Sequence, residues 1–442
     1  MSTPFTTPTP ASRSVTSPRR RVYGAALAGL AAIAALLVAP VGASATPIAG
    51  PTDDEIATEL KEAEAVTTEE DGLLIDATSY ARDYDVEVAE AVKRLIAQEE
   101  YAVLVEQFSA THADTFAGSG IDHGRDYALK LYFTAEQDSD AISREVAGAE
   151  LSRPEVRVDT TALLNTSESA ALVEAIEIPS SIQGLVDGLG YDPATNSIEF
   201  DVFSAAATDK TEGMLKDEIV SAAKELGLPA PGLVVRSTET RASDGHSGGL
   251  HLTSCTSGFA VKVGSTQGLS TAGHCGNTQS YKNYSSSTWY ALTYKAEKRN
   301  ATADVQWHTT NIGVYPRFIA SSESTYRTVT GKVNRSSQKD DYICHRGKTT
   351  GYSCGTVQNN AYKLTYDNAC NGVACSATWV RTTGSELKCY PGDSGGVVFN
   401  VGKAYGLYKG QSSSGTSASA CTAMYHMPID YLSGISATLL VG

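Results

Sequence analysis

The sequence predicts an α/β segment followed by an all-β segment, and three observations divide the chain near residue 245. Amphipathic helix patterns stop there, and short strand-like runs between turn residues take over. All eight cysteines lie between Cys255 and Cys421. Charge splits at the same place: residues 246–442 carry 17 Lys and Arg against 9 Asp and Glu, net +8, while the remainder carries 18 against 41, net −23. The overall −15 of the 442-residue chain is therefore an average of two unlike parts. A chain this long is expected to hold more than one domain, since domains usually run about 100–200 residues.

In chain order, the first element is an apolar stretch from Val22 to Val41, preceded by Arg13, Arg19, Arg20 and Arg21 and closed by Ala43-Ser44-Ala45. A basic region, an apolar region and an A-x-A site predict a secretory signal peptide over residues 1–45, removed on export. No other stretch is long and apolar enough to span a membrane, so the exported chain is expected to be extracellular and free of the membrane.

From Asp53 to Leu104 the text reads helical, with Val88, Ala91, Val92, Leu95 and Ile96 on one face. Tyr127–Phe133 reads as a strand, Asp192–Asn196 as a turn, and Ile198, Phe200 and Val202 alternate as in a strand. Leu215, Ile219, Ala222, Ala223 and Leu226 make a further amphipathic helix, stopped by Gly227 and Pro229. A polar linker from Thr238 to Gly249 follows, and places a boundary between residues 46–243 and 244–442. Beyond it, Gly258–Val263 and Gly396–Phe399 are strand-like, and frequent turn residues predict sandwich or barrel architecture. Only Pro428–Leu440 suits a closing helix.

An even cysteine count in an exported chain reads as disulfides, with about 105 pairings open to eight cysteines. The spacing lacks the paired C-x-x-C of zinc sites, so no metal is expected. The basic segment has no long Lys/Arg run, so no nucleic-acid partner is expected. The opposed charges suit an acidic segment docked on a basic one.

Two short segments carry chemistry: Thr271-Ala272-Gly273-His274-Cys275 and, 120 residues after His274, the run Gly392-Asp393-Ser394-Gly395-Gly396 around Ser394. A serine nucleophile needs a base beside its weakly acidic hydroxyl and backbone N–H groups aimed at the developing oxyanion. Ser394 is the candidate nucleophile and His274 the candidate base. The glycines allow a turn sharp enough to aim the N–H groups of Gly392 and Ser394 at one point. The acids between them are Glu297, Asp304, Glu323, Asp340, Asp341, Asp367, Glu386 and Asp393. Asp304, among small and apolar neighbours, is the preferred third member, with Asp341 second. Asp340 and Asp341 otherwise read as a solvated loop.

These segments, with Cys255–Phe259, the Asp304 run and Cys344–Gly355, resemble the secreted bacterial serine proteases of the streptogrisin and alpha-lytic protease type, within the chymotrypsin-like superfamily. Ala117–His123 resembles part of their pro-region. The resemblance implies an all-β protease domain of two six-stranded antiparallel β-barrels, preceded by an α/β pro-region that acts as folding catalyst and temporary inhibitor. It implies disulfides Cys255–Cys275, Cys344–Cys354 and Cys389–Cys421, leaving Cys370 and Cys375 as a pair. It implies a zymogen that hydrolyses protein or peptide substrates through a His274–Asp304–Ser394 triad without a cofactor, and a monomeric mature form. It also gives Asp393 a buried role that needs a positive partner, for which Arg346, one step after His345, is the candidate.

The chain departs from these relatives around the substrate pocket. Gly406-Leu407-Tyr408-Lys409-Gly410-Gln411 places Lys409 where the relatives carry a serine that supports the aspartate. The Gln411–Ala420 run is longer, and Cys389-Tyr390-Pro391 shorter, than the common pattern. Tyr390, Tyr408, Lys409, Gly410 and Gln411 are the candidate substrate-binding residues. A lysine there favours acidic side chains, and a tyrosine filling the pocket favours small ones; both stay open, as does a solvated Lys409. The rival to an enzyme is a secreted binding protein on a catalytically decayed protease fold, which predicts a damaged triad or oxyanion turn. New N-termini are expected between Thr240 and His246.

Overall fold

The computed structural model describes residues 66–442, apart from 136, 150, 154, 183–184, 204–207, 239–241, 244–249, 283–288, 311–313, 323–325 and 414–420. The expected signal peptide and most of the expected cleavage window lie outside the described residues. Residues 53–442 form one compact unit.

Among the described residues the first half holds five helices: α1 (Glu69–Tyr84), α2 (Val88–Thr111), α3 (Ser139–Ala147), α4 (Thr166–Ala175) and α5 (Asp209–Leu226). Their ends follow local chemistry. Thr68 caps α1 by accepting from the Asp71 N–H, and Asn165 and Glu168 form a reciprocal capping box on α4. Gly227, with φ 67°, stops α5 in the left-handed conformation that glycine takes without strain. The strands expected around Tyr127–Phe133 and Ile198–Val202 are Ala128–Thr134 and Ser197–Phe203. The first pairs antiparallel with Phe116–Asp122 and parallel with Val156–Ala162. Leu172, Leu215, Ile219, Phe200 and Val202 close an apolar core between α4, α5 and the second set of strands.

Among the described residues of the second half the regular elements are strands and two short 3-10 turns. Six strands, Tyr342–Gly347, Val397–Asn400, Lys403–Ser413, Cys421–Pro428, Trp379–Thr383 and Gly351–Leu364, pair in that order, all antiparallel, and the last returns to the first. They close a barrel around Ile343, Val357, Val380, Val398, Tyr405 and Tyr408. A five-stranded antiparallel sheet, Thr293–Arg299, Asp304–Thr309, Thr266–Thr271, Ala260–Val263 and Thr438–Leu439, forms a second layer. Together with the small sheet of Tyr290–Ala291, Ser280–Lys282 and His251–Leu252, it stands where a second six-stranded barrel is expected; among the described residues its pairings do not close a ring. Instead of a long closing helix, Ile429–Ile435 forms a 3-10 turn, because Thr438–Leu439 is drawn into pairing with Val261 and Lys262.

Disulfides join Cys255 to Cys275, Cys344 to Cys354 and Cys389 to Cys421, as the resemblance implies, and the left-over Cys370 to Cys375.

The two halves share a sheet and several buried polar contacts. Lys363 and Leu364 of the barrel pair with Leu189 and Gly188, so strands Val186–Asp192, Ser197–Phe203 and Gly232–Thr238 extend the barrel sheet. Asp76 of α1 is fully buried and accepts from Arg327 Nη1 at 2.7 Å, Tyr352 OH at 2.6 Å and the Val401 N–H at 2.8 Å. Gln98 of α2 brackets the Tyr342 backbone, accepting from its N–H at 2.8 Å and donating to its carbonyl at 3.2 Å. Arg381 donates to Asp201 at 3.0 Å. Lys363 Nζ caps the C-terminus of α4, donating to the carbonyls of Val173, Glu174 and Ile176 at 2.9–3.2 Å.

Asp340 and Asp341 are a correction to the sequence reading. Asp340, at φ 63°, accepts from the Ile121 N–H at 3.1 Å, and its carbonyl meets His123 Nε2 at 2.6 Å. Asp341 is 1% exposed and accepts from Tyr405 OH at 2.8 Å; burial pushes its carboxyl well up. The polar run looks solvated only if the first half is left out.

Removing one member of a buried ion pair leaves an uncompensated charge, at a cost of about 3–5 kcal/mol. Asp76→Ala is expected to lose stability of that order in denaturant unfolding of the full chain, measured on a Ser394→Ala background to prevent self-digestion.

Candidate active site

His274 lies in the turn that follows the strand Thr266–Thr271. The turn is held from several sides. Cys275 N–H donates to the Ala272 carbonyl at 3.1 Å, Gln306 Nε2 donates to the same carbonyl at 2.7 Å, and the Cys255–Cys275 disulfide ties its end. Gln279 Nε2 donates to the carbonyls of Cys275 and Gly276 at 2.5 and 2.8 Å. Gly273 leaves room beneath the turn: a Cβ there would stand 2.9 Å from Asp304 Oδ1 and 3.0 Å from the Val305 nitrogen.

Asp304 opens the strand that pairs with Thr266–Thr271, Asp304–Thr309, opposite Arg299. Asn300 builds the connection by accepting from the N–H groups of Thr302 and Ala303 at 3.0 and 3.1 Å. The result brings Asp304 Oδ2 to 2.5 Å from His274 Nδ1, with both residues buried. An acceptor at Nδ1 fixes the ring orientation and turns Nε2 away from the carboxylate.

Ser394 sits in the turn between Cys389 and the strand Val397–Asn400. Gly392 and Gly395 have φ of 132° and 82°, conformations that side chains rarely adopt. Thr256 N–H donates to the Ser394 carbonyl at 2.7 Å, and its hydroxyl donates to the Asp393 carbonyl at 2.9 Å. Gly395 N–H donates to the Tyr408 carbonyl and Tyr408 N–H to the Gly396 carbonyl, each at 2.8 Å. A Cβ on Gly395 would overlap the Thr271 hydroxyl and approach the Ala272 nitrogen at 2.8 Å. The serine turn is therefore packed on the two residues that lead into the histidine turn. Ser394 is buried.

Asp393 accepts from Thr350 Oγ1 at 2.6 Å and from the N–H groups of Tyr390, Thr349 and Thr350 at 3.1–3.2 Å. The ionisable group that acts on it most strongly is His345. Burial pushes the Asp393 carboxyl up and the His345 ring down, toward a neutral pair. Arg346 Nη1 donates to the Ala320 carbonyl at 3.0 Å.

The candidate substrate residues separate. Tyr390 is half-buried beside the Ser394 turn. The Tyr408 side chain belongs to the barrel core, stacked on His345 with ring centres 5.4 Å apart and bonded through its hydroxyl to Gln411 Oε1. Gly410 pairs with Tyr425 and Gln411 with Met424. The backbone of Ala242-Ser243 also pairs with this strand, Ser243 against Gln411 and Ala242 against Ser412, a contact that residue patterns gave no sign of.

Lys409 occupies a bulge: Tyr408 pairs with His426 and Gly410 with Tyr425, leaving Lys409 the extra residue. Lys409 Nζ lies 3.1 Å from Asp304 Oδ2 and 3.4 Å from His274 Nδ1, at 1% exposure. Lys409 is thus a buried neighbour of Asp304, not a solvated charge. Burial alone would push the Asp304 carboxyl up; His274 and Lys409 together outweigh it and hold the group well below the usual carboxylate range. Cys255, His274 and Cys275 place their donor atoms within 4.8 Å of one another, but both sulfurs are in a disulfide and so offer no thiolate to a metal.

This arrangement bears on the resemblance read from the sequence, which holds: the chain is similar to bacterial chymotrypsin-like serine proteases. One particular relative is Streptogrisin-C of Streptomyces griseus, 30% identical over 183 residues. That match covers 40% of this chain and 36% of the relative, so the chain spans about a third of the curated relative's length. Solved structures that resemble the chain include Thermobifida fusca protease A, at 26% identity over 45% of this chain and 98% of that one, with a TM-score of 0.35. Cellulomonas bogoriensis chymotrypsin, at 22% identity, likewise covers 45% and 98%, with a TM-score of 0.34. No family model matches the chain.

Two outcomes test this geometry. Gly395→Ala is expected to destabilise the chain by at least ~1–3 kcal/mol from backbone strain, with more from overlap at Thr271, read as a lowered unfolding midpoint. Because the Asp304 carboxyl is depressed in the folded chain, its stabilisation is present above the unfolded value near pH 4 and fades as pH falls toward the folded value. Asp304→Asn should therefore lose less stability than the parent between about pH 4 and pH 2 in acid unfolding.

Proposed function

We propose that the chain is the precursor of a secreted serine endopeptidase. The single observation that carries this reading is the sealed His274–Asp304 contact of 2.5 Å with the Ser394 turn packed against the same loop. In this reading Ser394 attacks the peptide carbonyl, and His274 takes the hydroxyl proton through Nε2 and returns it to the leaving amine. Asp304 holds the ring in the productive tautomer and stabilises the imidazolium. The N–H groups of Gly392 and Ser394 receive the oxyanion, for which the φ of Gly392 is suited. Water then releases the acyl group. The closed barrel and the five-stranded sheet would be the two halves of a chymotrypsin-like domain over 244–442.

Residues 1–45 are proposed as signal peptide and 46–243 as a pro-region that assists folding and blocks the site. The buried polar contacts of Asp76, Gln98 and Asp201 support such docking. The antiparallel pairing of Ala242-Ser243 with Gln411-Ser412, on the strand that Tyr408 ties to the Ser394 turn, supports a blocked site: a substrate backbone would use the same strand edge. Self-cleavage just beyond Ser243 would free the mature chain. Many-stranded, non-local folds form slowly and survive by unfolding slowly, which gives a folding assistant its use.

Ser394→Ala is expected to reduce casein cleavage by about 10⁴-fold or more and to leave the precursor unprocessed, as mass spectrometry of the secreted product would show. A fluorophosphonate should label Ser394 of the mature chain. A folded, mature chain that takes no label would instead favour the decayed binding protein.

A further inference from the structure

We propose that Lys409 is a positioning residue of the site: its ammonium shares Asp304 Oδ2 with His274 and holds a fixed positive charge against the histidine ring. The proposal rests on the reading of His274 as general base.

Three distances define the arrangement. Asp304 Oδ2 lies 2.5 Å from His274 Nδ1 and 3.1 Å from Lys409 Nζ, and the two nitrogens are 3.4 Å apart. Both nitrogens are donors when the ring carries its proton on Nδ1, so they meet through the shared acceptor and not by bonding each other. All three side chains are buried, so water screens the charges little. The Lys409 backbone makes the placement rigid. Its neighbours Tyr408 and Gly410 are tied to His426 and Tyr425, and Tyr408 is tied to Gly395 and Gly396 of the serine turn. The Trp379 ring lies 5.8 Å from Nζ and offers the ammonium a second favourable surface.

Two consequences follow. The carboxylate divides its negative charge between two donors, so it attracts the His274 Nδ1 proton less strongly than an unshared aspartate. A positive charge this close also disfavours a second one on the ring. Other titratable or charged groups lie around the turn. Arg299, on the neighbouring strand, reaches the turn through its Cβ, near Gly273. His308 hydrogen-bonds to Gln306. Asp393 is turned to Thr349 and Thr350.

The test compares the parent with Lys409→Met, Lys409→Gln and Lys409→Arg. In peptide hydrolysis, the acid limb of the kcat/KM profile is expected to move toward neutral pH by about one unit or more in the two neutral variants, and to stay with the parent in Lys409→Arg. The second readout needs no activity: the His274 Nδ1–H proton resonance, recorded by NMR in the full chain on a Ser394→Ala background. It should move downfield in the neutral variants as Asp304 becomes an unshared acceptor, and return in Lys409→Arg. Folded neutral variants with the parental acid limb and an unmoved resonance would overturn the proposal and leave Lys409 a structural filler. If fluorophosphonate never labels the parent, the protease reading falls, and the resonance alone decides whether Lys409 acts on His274.

Discussion

The strand Lys403–Ser413 is the constraint on which the rest of the site depends. Its first part pairs with Val397–Asn400, the strand into which the Ser394 turn runs. At Tyr408 it exchanges two backbone hydrogen bonds with Gly395 and Gly396, so the turn cannot shift without breaking the barrel. One residue later its bulge aims Lys409 at Asp304. At Gln411 and Ser412 its edge receives the backbone of Ala242-Ser243. One strand thus joins the serine turn, the charge balance of the His–Asp pair and the end of the acidic half. The glycines of the serine turn are the cost of that arrangement: Gly395 is so close to Thr271 and Ala272 that no side chain fits.

Much of this was legible in the sequence because it is local. A histidine boxed by small residues, a serine between glycines and an aspartate among apolar neighbours each advertise a backbone requirement or a burial requirement. The structure brings His274, Asp304 and the Ser394 turn together for those reasons. Helices α2 and α5 were legible by period, since Ala91, Val92 and Leu95, and likewise Leu215, Ile219 and Ala223, do face a core. What the sequence hid depends on the partner surface. Asp341 reads as solvated because nothing nearby in the chain says that Tyr405 and the first half will enclose it. Tyr408 and Lys409 are adjacent, and pattern alone cannot say which enters the core. The bulge at that point decides it. The short pairing of Ala242-Ser243 is a backbone pairing, for which side-chain identity is a poor guide.

The opposite charges of the two halves suggest a diffuse attraction, but the contacts are more specific than that. Asp76 with Arg327, and Asp201 with Arg381, are buried pairs. Such pairs add little net stability over apolar replacements, since desolvation offsets the attraction. Their larger effect is on register. Asp76 also accepts from the Val401 N–H and Tyr352 OH, and Gln98 reads both backbone groups of Tyr342. A half docked one residue out of place would leave these groups buried and unsatisfied. The buried hydrogen bonds, more than the net charges, single out one arrangement.

That selection reaches the barrel itself. Val186–Asp192 continues the sheet from Lys363-Leu364, and Gly188 and Gly190 leave the space that Tyr362 and Asn359 occupy. The Tyr362 hydroxyl in turn meets Asp201 on the adjoining strand. The strand Gly351–Leu364 therefore closes the barrel along one part of its length, through Tyr342–Gly347, and joins the acidic half along another. A strand that must find partners far away in sequence on both sides is slow to place by chance. In the folded chain one edge of that strand, at Lys363-Leu364, is held by the sheet of the acidic half, packed around Leu189, Phe200 and Val202. The same continuity means that removing the acidic half uncovers a sheet edge at Lys363-Leu364 and a lysine whose ammonium now rests on three carbonyls of α4. The two halves are thus complementary at the level of the backbone.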